Sequence, residues 1–85
     1  MQDMYIELYY GKYMTLDLHG KTIMEAEAEL VHAINSLDAN LSLLVVHGYH
    51  SGTSLKNFVR DKFASPLIDE KINIDAGRTL IKLKR

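Results

Sequence analysis

No cysteine occurs anywhere in this chain of 85 residues, so disulfides and thiolate metal sites are excluded. No apolar run nears the ~18 residues that a membrane span needs. The first residues lack the charged-then-apolar order of an export signal. Together these absences lead us to expect a cytoplasmic protein with no membrane partner. Repeats and low-complexity segments are also missing. Charge of one sign is scarce overall, at a net −1, which argues against a strongly basic nucleic-acid binder. The total hides an asymmetry, however. Residues 1–50 hold two basic and seven acidic side chains, whereas residues 51–85 hold eight basic and four acidic. A basic second half can still face a phosphate backbone.

What is present is ordinary for a globular domain: 47% hydrophobic and 25% charged residues, enough for one small two-layer core. Residues 1–13 are rich in tyrosine and broken by Gly11, and read as an N-terminal arm or edge strand. Residues 14–85 form the domain proper. Met14, Leu16 and Leu18 alternate with Thr15, Asp17 and His19, the pattern of a half-buried strand ended by Gly20. Thr22-x-x-Glu25 then opens a helix as a reciprocal cap. Ile23, Ala26, Leu30, Ile34 and Leu37 recur at helical spacing, and Asn40 marks the exit. "LSLLVV" is apolar on both faces and suits a central strand. A second helix is expected from about Thr53 to Ala64, stopped by Pro66. "KINID" and "TLIKLKR" alternate again around Ala76-Gly77-Arg78, as in a hairpin.

The order β-α-β-α-β-β predicts an α/β fold: a two-layer sandwich whose four-stranded mixed sheet carries two helices on one face. Ile72, Ile74, Ile81 and Leu83 would face the helices. Asp17, His19, Lys71, Asn73, Lys82 and Lys84 would line an open, mostly basic face.

Three features carry candidate chemistry. Asp17 and His19, two residues apart, share one side of a strand end. A carboxylate that accepts from one ring nitrogen fixes the tautomer and raises the basicity of the other. The same pair can equally be a solvated strand end. Second, His19-Gly20 and His47-Gly48 both fall at strand ends, where ligands of parallel α/β units bind. Third, the loop His47, Gly48, Tyr49, His50, Ser51, Gly52 and Thr53 runs straight into a helix. It lacks the lysine and the spacing of a nucleotide-binding P-loop. Its glycines and the helix start would still let an anion approach, although Ser51, Thr53 or Ser54 would also serve as a plain cap. Asp17, His19, His47 and His50 have metal-binding chemistry, but their spacing matches no metal signature, and no metal ligand is assigned.

These residues resemble the Smr family, the small MutS-related domain. "TLDLHG" (15–20) is similar to the family's Leu-Asp-Leu-His-Gly motif. "VVHGYHSGTSLKNFVRDKF" resembles its His-Gly-x-Gly-x-Gly loop followed by a leucine, and "AGRTLIKLK" its closing Gly-x-Thr strand. The likeness spans roughly residues 14–84. His50 replaces the middle glycine of the loop, one extra residue separates Gly52 from Leu55, and the glycine pair before the last strand is reduced to Gly77.

The resemblance implies a sandwich like the C-terminal domain of translation initiation factor three. It also implies binding of DNA or RNA, with endonuclease activity in several branches. Catalysis would fall on Asp17 and His19. Nucleic-acid contact would fall on His47, Gly48, His50, Ser51, Gly52 and Thr53 of the loop, with Arg78, Lys82 and Lys84 added from the basic second half. Cleavage of RNA requires no cofactor, because the ribose 2′-OH attacks. On DNA water must attack, and a divalent metal is then expected. The alternative is a non-catalytic module that binds nucleic acid or protein. A homodimer is a further expectation, with the tyrosine-rich arm adding a strand to a partner's sheet.

Overall fold

The computed structural model describes residues 4–38, 40–49 and 53–84. Its elements are α1 (Met4–Tyr10), β1 (Tyr13–Asp17), α2 (Ile23–Ser36), β2 (Ser42–Val46), α3 (Ser54–Asn57), β3 (Ile68–Asp75) and β4 (Arg78–Leu83). A π-helical turn, Phe58–Lys62, prolongs α3. From β1 onward the α/β order is the expected one, and the strands form a single mixed sheet in the order β1-β2-β4-β3. β1 and β2 are parallel, and β4 is antiparallel to both β2 and β3.

β2 is central, as its doubly apolar sequence requires. Leu43 and Val45 point to one face, where they join Leu18, Ala26, Leu30, Ile34, Val59, Phe63 and Ile81 in the main core. This is the face covered by α2 and by the segment from α3 through the π-turn. Leu44 points the other way, into a second core with Ile6 and Leu80, flanked by Tyr10, Tyr13, Ile72 and Ile74.

That second core overturns two expectations. Within the segment read as an arm or edge strand, residues 4–10 form a helix, whose Ile6 is wholly buried against the sheet. Residues 4–10, being helical, offer no extended backbone to a partner's sheet. The face beneath it is not open and basic but apolar.

Ile72 and Ile74 lie on this α1 face rather than under α2. The cause is a bulge. The two-residue turn pairs Asp75 with Arg78, which would set Ile72 beside Ile81. One extra residue between Asn73 and Asp75 instead pairs Asn73 with Thr79 and Ile72 with Leu80. Because side chains alternate every residue, a shift of one exchanges the faces. Lys71, opposite Ile81, is thereby turned to the helix side. There its Nζ donates to the carbonyls of Arg60 and Phe63, two carbonyls near the end of the π-turn.

Lys82 and Lys84 are likewise not beside the His-Gly steps. β4 runs from Arg78, next to Val46, toward Ile81, next to Leu43. At about 3.3 Å per residue, Lys82 and Lys84 sit roughly 13 to 20 Å along the strand from that end. Across the sheet Lys82 faces Glu70. Among the described residues, no helix is long and apolar enough to cross a membrane.

Candidate functional site

Parallel pairing brings the ends of β1 and β2 together, with Asp17 beside Val46. The ladder continues one residue further, Leu18 N–H donating to the Val46 carbonyl at 2.8 Å. Leu18 is fully buried in the main core. Anchoring it inward leaves its neighbours Asp17 and His19 in solvent. Gly20 then takes a positive φ of 78°, which only glycine adopts without cost. The chain turns there into α2. Glu25 N–H donates to Thr22 Oγ1 at 3.1 Å and Thr22 N–H to Glu25 Oε1 at 2.9 Å, completing the expected capping box.

Asp17 Oδ1 accepts twice from His19. The backbone N–H lies at 3.1 Å and ring Nδ1 at 2.6 Å. The ring bond, followed by the backbone bond, holds the Asp17 carboxyl below the usual carboxylate range. An ionised Asp17 can only accept, so Nδ1 carries a hydrogen, and in the neutral ring Nε2 is then the nitrogen with the lone pair. The two side chains remain 70% and 54% exposed. Geometrically the pair is a ring in a fixed tautomer with its basic nitrogen free.

His19 lines a cavity of about 500 Å³ with Lys21, Thr22, Ile23, Val46, His47, Gly48, Tyr49, Ser54 and Leu55. It is thus bounded by the starts of two helices and the ends of two strands. Lys21 forms an ion pair with Glu29 at 3.1 Å, a bond that raises its ammonium pKa and keeps a cation at the rim. Gly48 lies close to His19. A Cβ there would stand 3.3 Å from His19 Cβ, and its φ is 75°. Gly48 therefore meets both demands: a left-handed backbone and close approach to the His19 Cβ.

His47 behaves differently from His19. It is only 4% exposed. Its Nε2 lies 2.9 Å from Thr79 Oγ1 and its Nδ1 lies 3.1 Å from its neighbour's carbonyl, Gly48 O. Arg60 Nε donates to the same Thr79 hydroxyl at 2.7 Å, so the hydroxyl proton is free to point at Nε2. The resulting chain, Arg60 to Thr79 to neutral His47 to Gly48 O, satisfies every member. Burial pushes the His47 imidazole pKa down, consistent with the neutral form. Both ring nitrogens of His47 are thus engaged within the protein, tying the end of β2 to β4, while the residue also lines the cavity.

The low pKa of His47 sets a sign for stability. Below about pH 6.5 the unfolded imidazole takes up a proton that the folded one refuses, so stability falls as pH drops through that region. Above it both forms are neutral and nothing is lost. We expect the urea midpoint to decline between about pH 7 and 5, and His47→Gln to flatten that decline. Asp17 and Asp75, whose pKa values are also lowered, act only at lower pH. An equally steep decline in His47→Gln would contradict the assignment.

No family model, curated protein or solved structure matches this chain. The site must be read from its own geometry.

Of the remaining sequence candidates, Thr53 is the N-cap residue of α3, with its hydroxyl 3.4 Å from Asn57 Nδ2. His50, Ser51 and Gly52 lie outside the described residues. Arg78 is committed to Asp75, Nε and Nη2 approaching Oδ2 at 2.9 and 2.7 Å. It braces the hairpin turn, which Arg60 also grips through the carbonyls of Asp75 and Arg78. Among the described residues, no three His, Asp or Glu side chains converge as a metal site. Both nitrogens of His47 are taken up as described.

Arg60, Thr79 and Tyr49 were not singled out from the sequence as functional. Thr79 did carry a signal, a hydroxyl at an inward position of an apolar strand. Arg60 carried none, because its partners come from a turn 15 or more residues away.

Proposed function

We propose that this chain is a nucleic-acid-binding domain of Smr type that cleaves phosphodiester bonds, with RNA as the substrate its chemistry suits best. The observation that carries the reading is the hydrogen-bonded Asp17–His19 pair, poised with Nε2 free beside an open cavity. The sequence motifs 15–20 and 45–55 add the family likeness.

On RNA, His19 Nε2 takes the proton of the ribose 2′-OH. The 2′-oxygen attacks phosphorus, the bond to the 5′-oxygen breaks, and that oxygen is protonated by solvent. The products are a 2′,3′-cyclic phosphate and a 5′-hydroxyl. Asp17 does not take the proton; its charge steadies the imidazolium that forms. Charge gathers on the phosphoryl oxygens as the bond forms. Lys21 at the cavity rim and Arg78 are the cations that would meet it, each of them paired with a carboxylate, Glu29 and Asp75 respectively.

The test is incubation with end-labelled RNA and with DNA of the same sequence, each with and without a chelator. Cleavage of RNA to 2′,3′-cyclic ends in the presence of chelator is the expected result. Cleavage of DNA that chelator abolishes would instead favour water attack assisted by a metal. Binding without cleavage of either polymer would identify a non-catalytic module.

A further inference from the structure

The two edges of the sheet are not alike. β3 is interrupted by register shifts at Ile68/Glu70 and at Asn73/Asp75, and it carries Asp69, Glu70, Lys71 and Asp75. Bulges and charges are the usual means of keeping a sheet edge from pairing with another chain. β1 has neither at its centre. Its ladder with β2 runs from Tyr13 to Asp17 without a shift, and Met14, Thr15 and Leu16 are uncharged. The Lys12 carbonyl accepts from Ser42 N–H, and Leu18 N–H donates to the Val46 carbonyl. Successive strand residues turn their backbone groups to opposite sides, so those of Tyr13 and Thr15 point away from β2. Among the described residues, no strand lies beyond them.

This edge runs beside an apolar groove. A hollow of about 470 Å³ between β1 and α2 is walled by Met14, Leu16, Ala33, Leu37 and Leu41, and Met14 is 49% exposed. The carboxylates in its lining are Glu29 and Asp38. Lys21 offsets Glu29, but α2 itself holds Glu25, Glu27 and Glu29 and no lysine or arginine. An unprotected edge, an apolar groove and an acidic helix thus lie side by side.

We infer that the β1 edge is a docking site for an extended segment of another protein, one that alternates apolar side chains with polar ones and is basic. The segment adds a strand beside β1 through the outward N–H and C=O groups of Tyr13 and Thr15. Its alternate side chains then turn into the groove, and its basic side chains answer the carboxylates of α2 and Asp38. A second copy of this chain fits less well, because pairing β1 with β1 brings two acidic helices of the same kind together. An acidic rim also repels a phosphate backbone. The groove shares no lining residue with the cavity of His19, so the inference does not rest on the function proposed above.

The probe is a synthetic nonapeptide in which valine alternates with lysine or threonine, titrated into the whole chain and followed by amide NMR shifts. Two control peptides replace its lysines with glutamate or its valines with serine. The lysine–valine peptide is expected to bind, moving the amides of Tyr13 and Thr15 and those that line the groove, and to bind more tightly than either control. Thr15→Pro removes one outward N–H, a change that an edge strand tolerates. It should weaken binding roughly 3- to 10-fold, the worth of one hydrogen bond. Met14→Lys, at the groove wall, should weaken it too by setting a cation against the peptide's own. Circular dichroism checks that both variants fold, and light scattering follows the oligomeric state of each. Equal binding of the glutamate peptide, shifts that miss β1, or no binding of the lysine–valine peptide would overturn the inference. So would a wild-type dimer that Thr15→Pro dissociates, since the occupant would then be a second copy.

Discussion

His19→Ala is expected to slow RNA cleavage by roughly 10² to 10⁴, the usual share of a general base, with the fold unchanged. Asp17→Asn should fall in the same range. It preserves an oxygen for the His19 backbone N–H but removes the charge that steadies the ring. Neither side chain supports the core, because Leu16 and Leu18 are the strand's inward residues while Asp17 and His19 are open to water. The two act through one hydrogen bond of 2.6 Å, so their losses should not add. The double variant should be little slower than the worse single one. Circular dichroism should confirm folding before rates are compared at saturating protein. Two folded single variants with wild-type rates would make the pair a structural strand end.

The largest stability effect is expected at the other face. Ile6→Ala should cost about 2 to 5 kcal/mol, the range for removing a large aliphatic side chain from a packed core. That is a large part of what a domain of this size has to lose. Ile6 is the one fully buried residue of α1, and with the partly buried Tyr10 it packs the helix onto Leu44 and Leu80. Leu8, on the same helix but 80% exposed, provides the control, since Leu8→Ala should change little. Urea midpoints of the three proteins measure the difference. A variant Ile6→Ala as stable as wild type would mean that α1 merely rests on the sheet.

The contrast between those two regions shows what the sequence made legible. Alternation over residues 14–19 placed Leu16 and Leu18 inward, and the two-residue spacing put Asp17 and His19 together. Both are local rules, and both hold at those positions, although Met14, the first residue of the same apolar set, is 49% exposed. The capping box at Thr22 and the central position of β2 were legible for the same reason. α1 was not. Its seven residues, MYIELYY, are rich in tyrosine, and a helix that short is marginal unless something packs on it. What stabilises it is Leu44 and Leu80, far away in the chain. The faces of Ile72 and Ile74 were lost to a one-residue bulge that no composition announces. The bond from His47 to Thr79 was not legible either, because its partner lies 32 residues on. Ile23, assigned to the buried stripe of α2, is instead at the cavity rim, since the helix starts at that residue.

The position of β4 bears on when the domain can form during translation. β4 is the last strand made, yet it lies inside the sheet, between β2 and β3. It also serves both apolar layers at once, Ile81 in one and Leu80 in the other. A nascent chain that stops anywhere before Leu83 has β2 with an unfilled edge, and neither layer closed. β1, α2 and β2 can meet early, but they meet as an open half-sheet. The hairpin joins the edge of β2 through β4, so the sheet and both apolar layers are complete only when residues up to Leu83 are available.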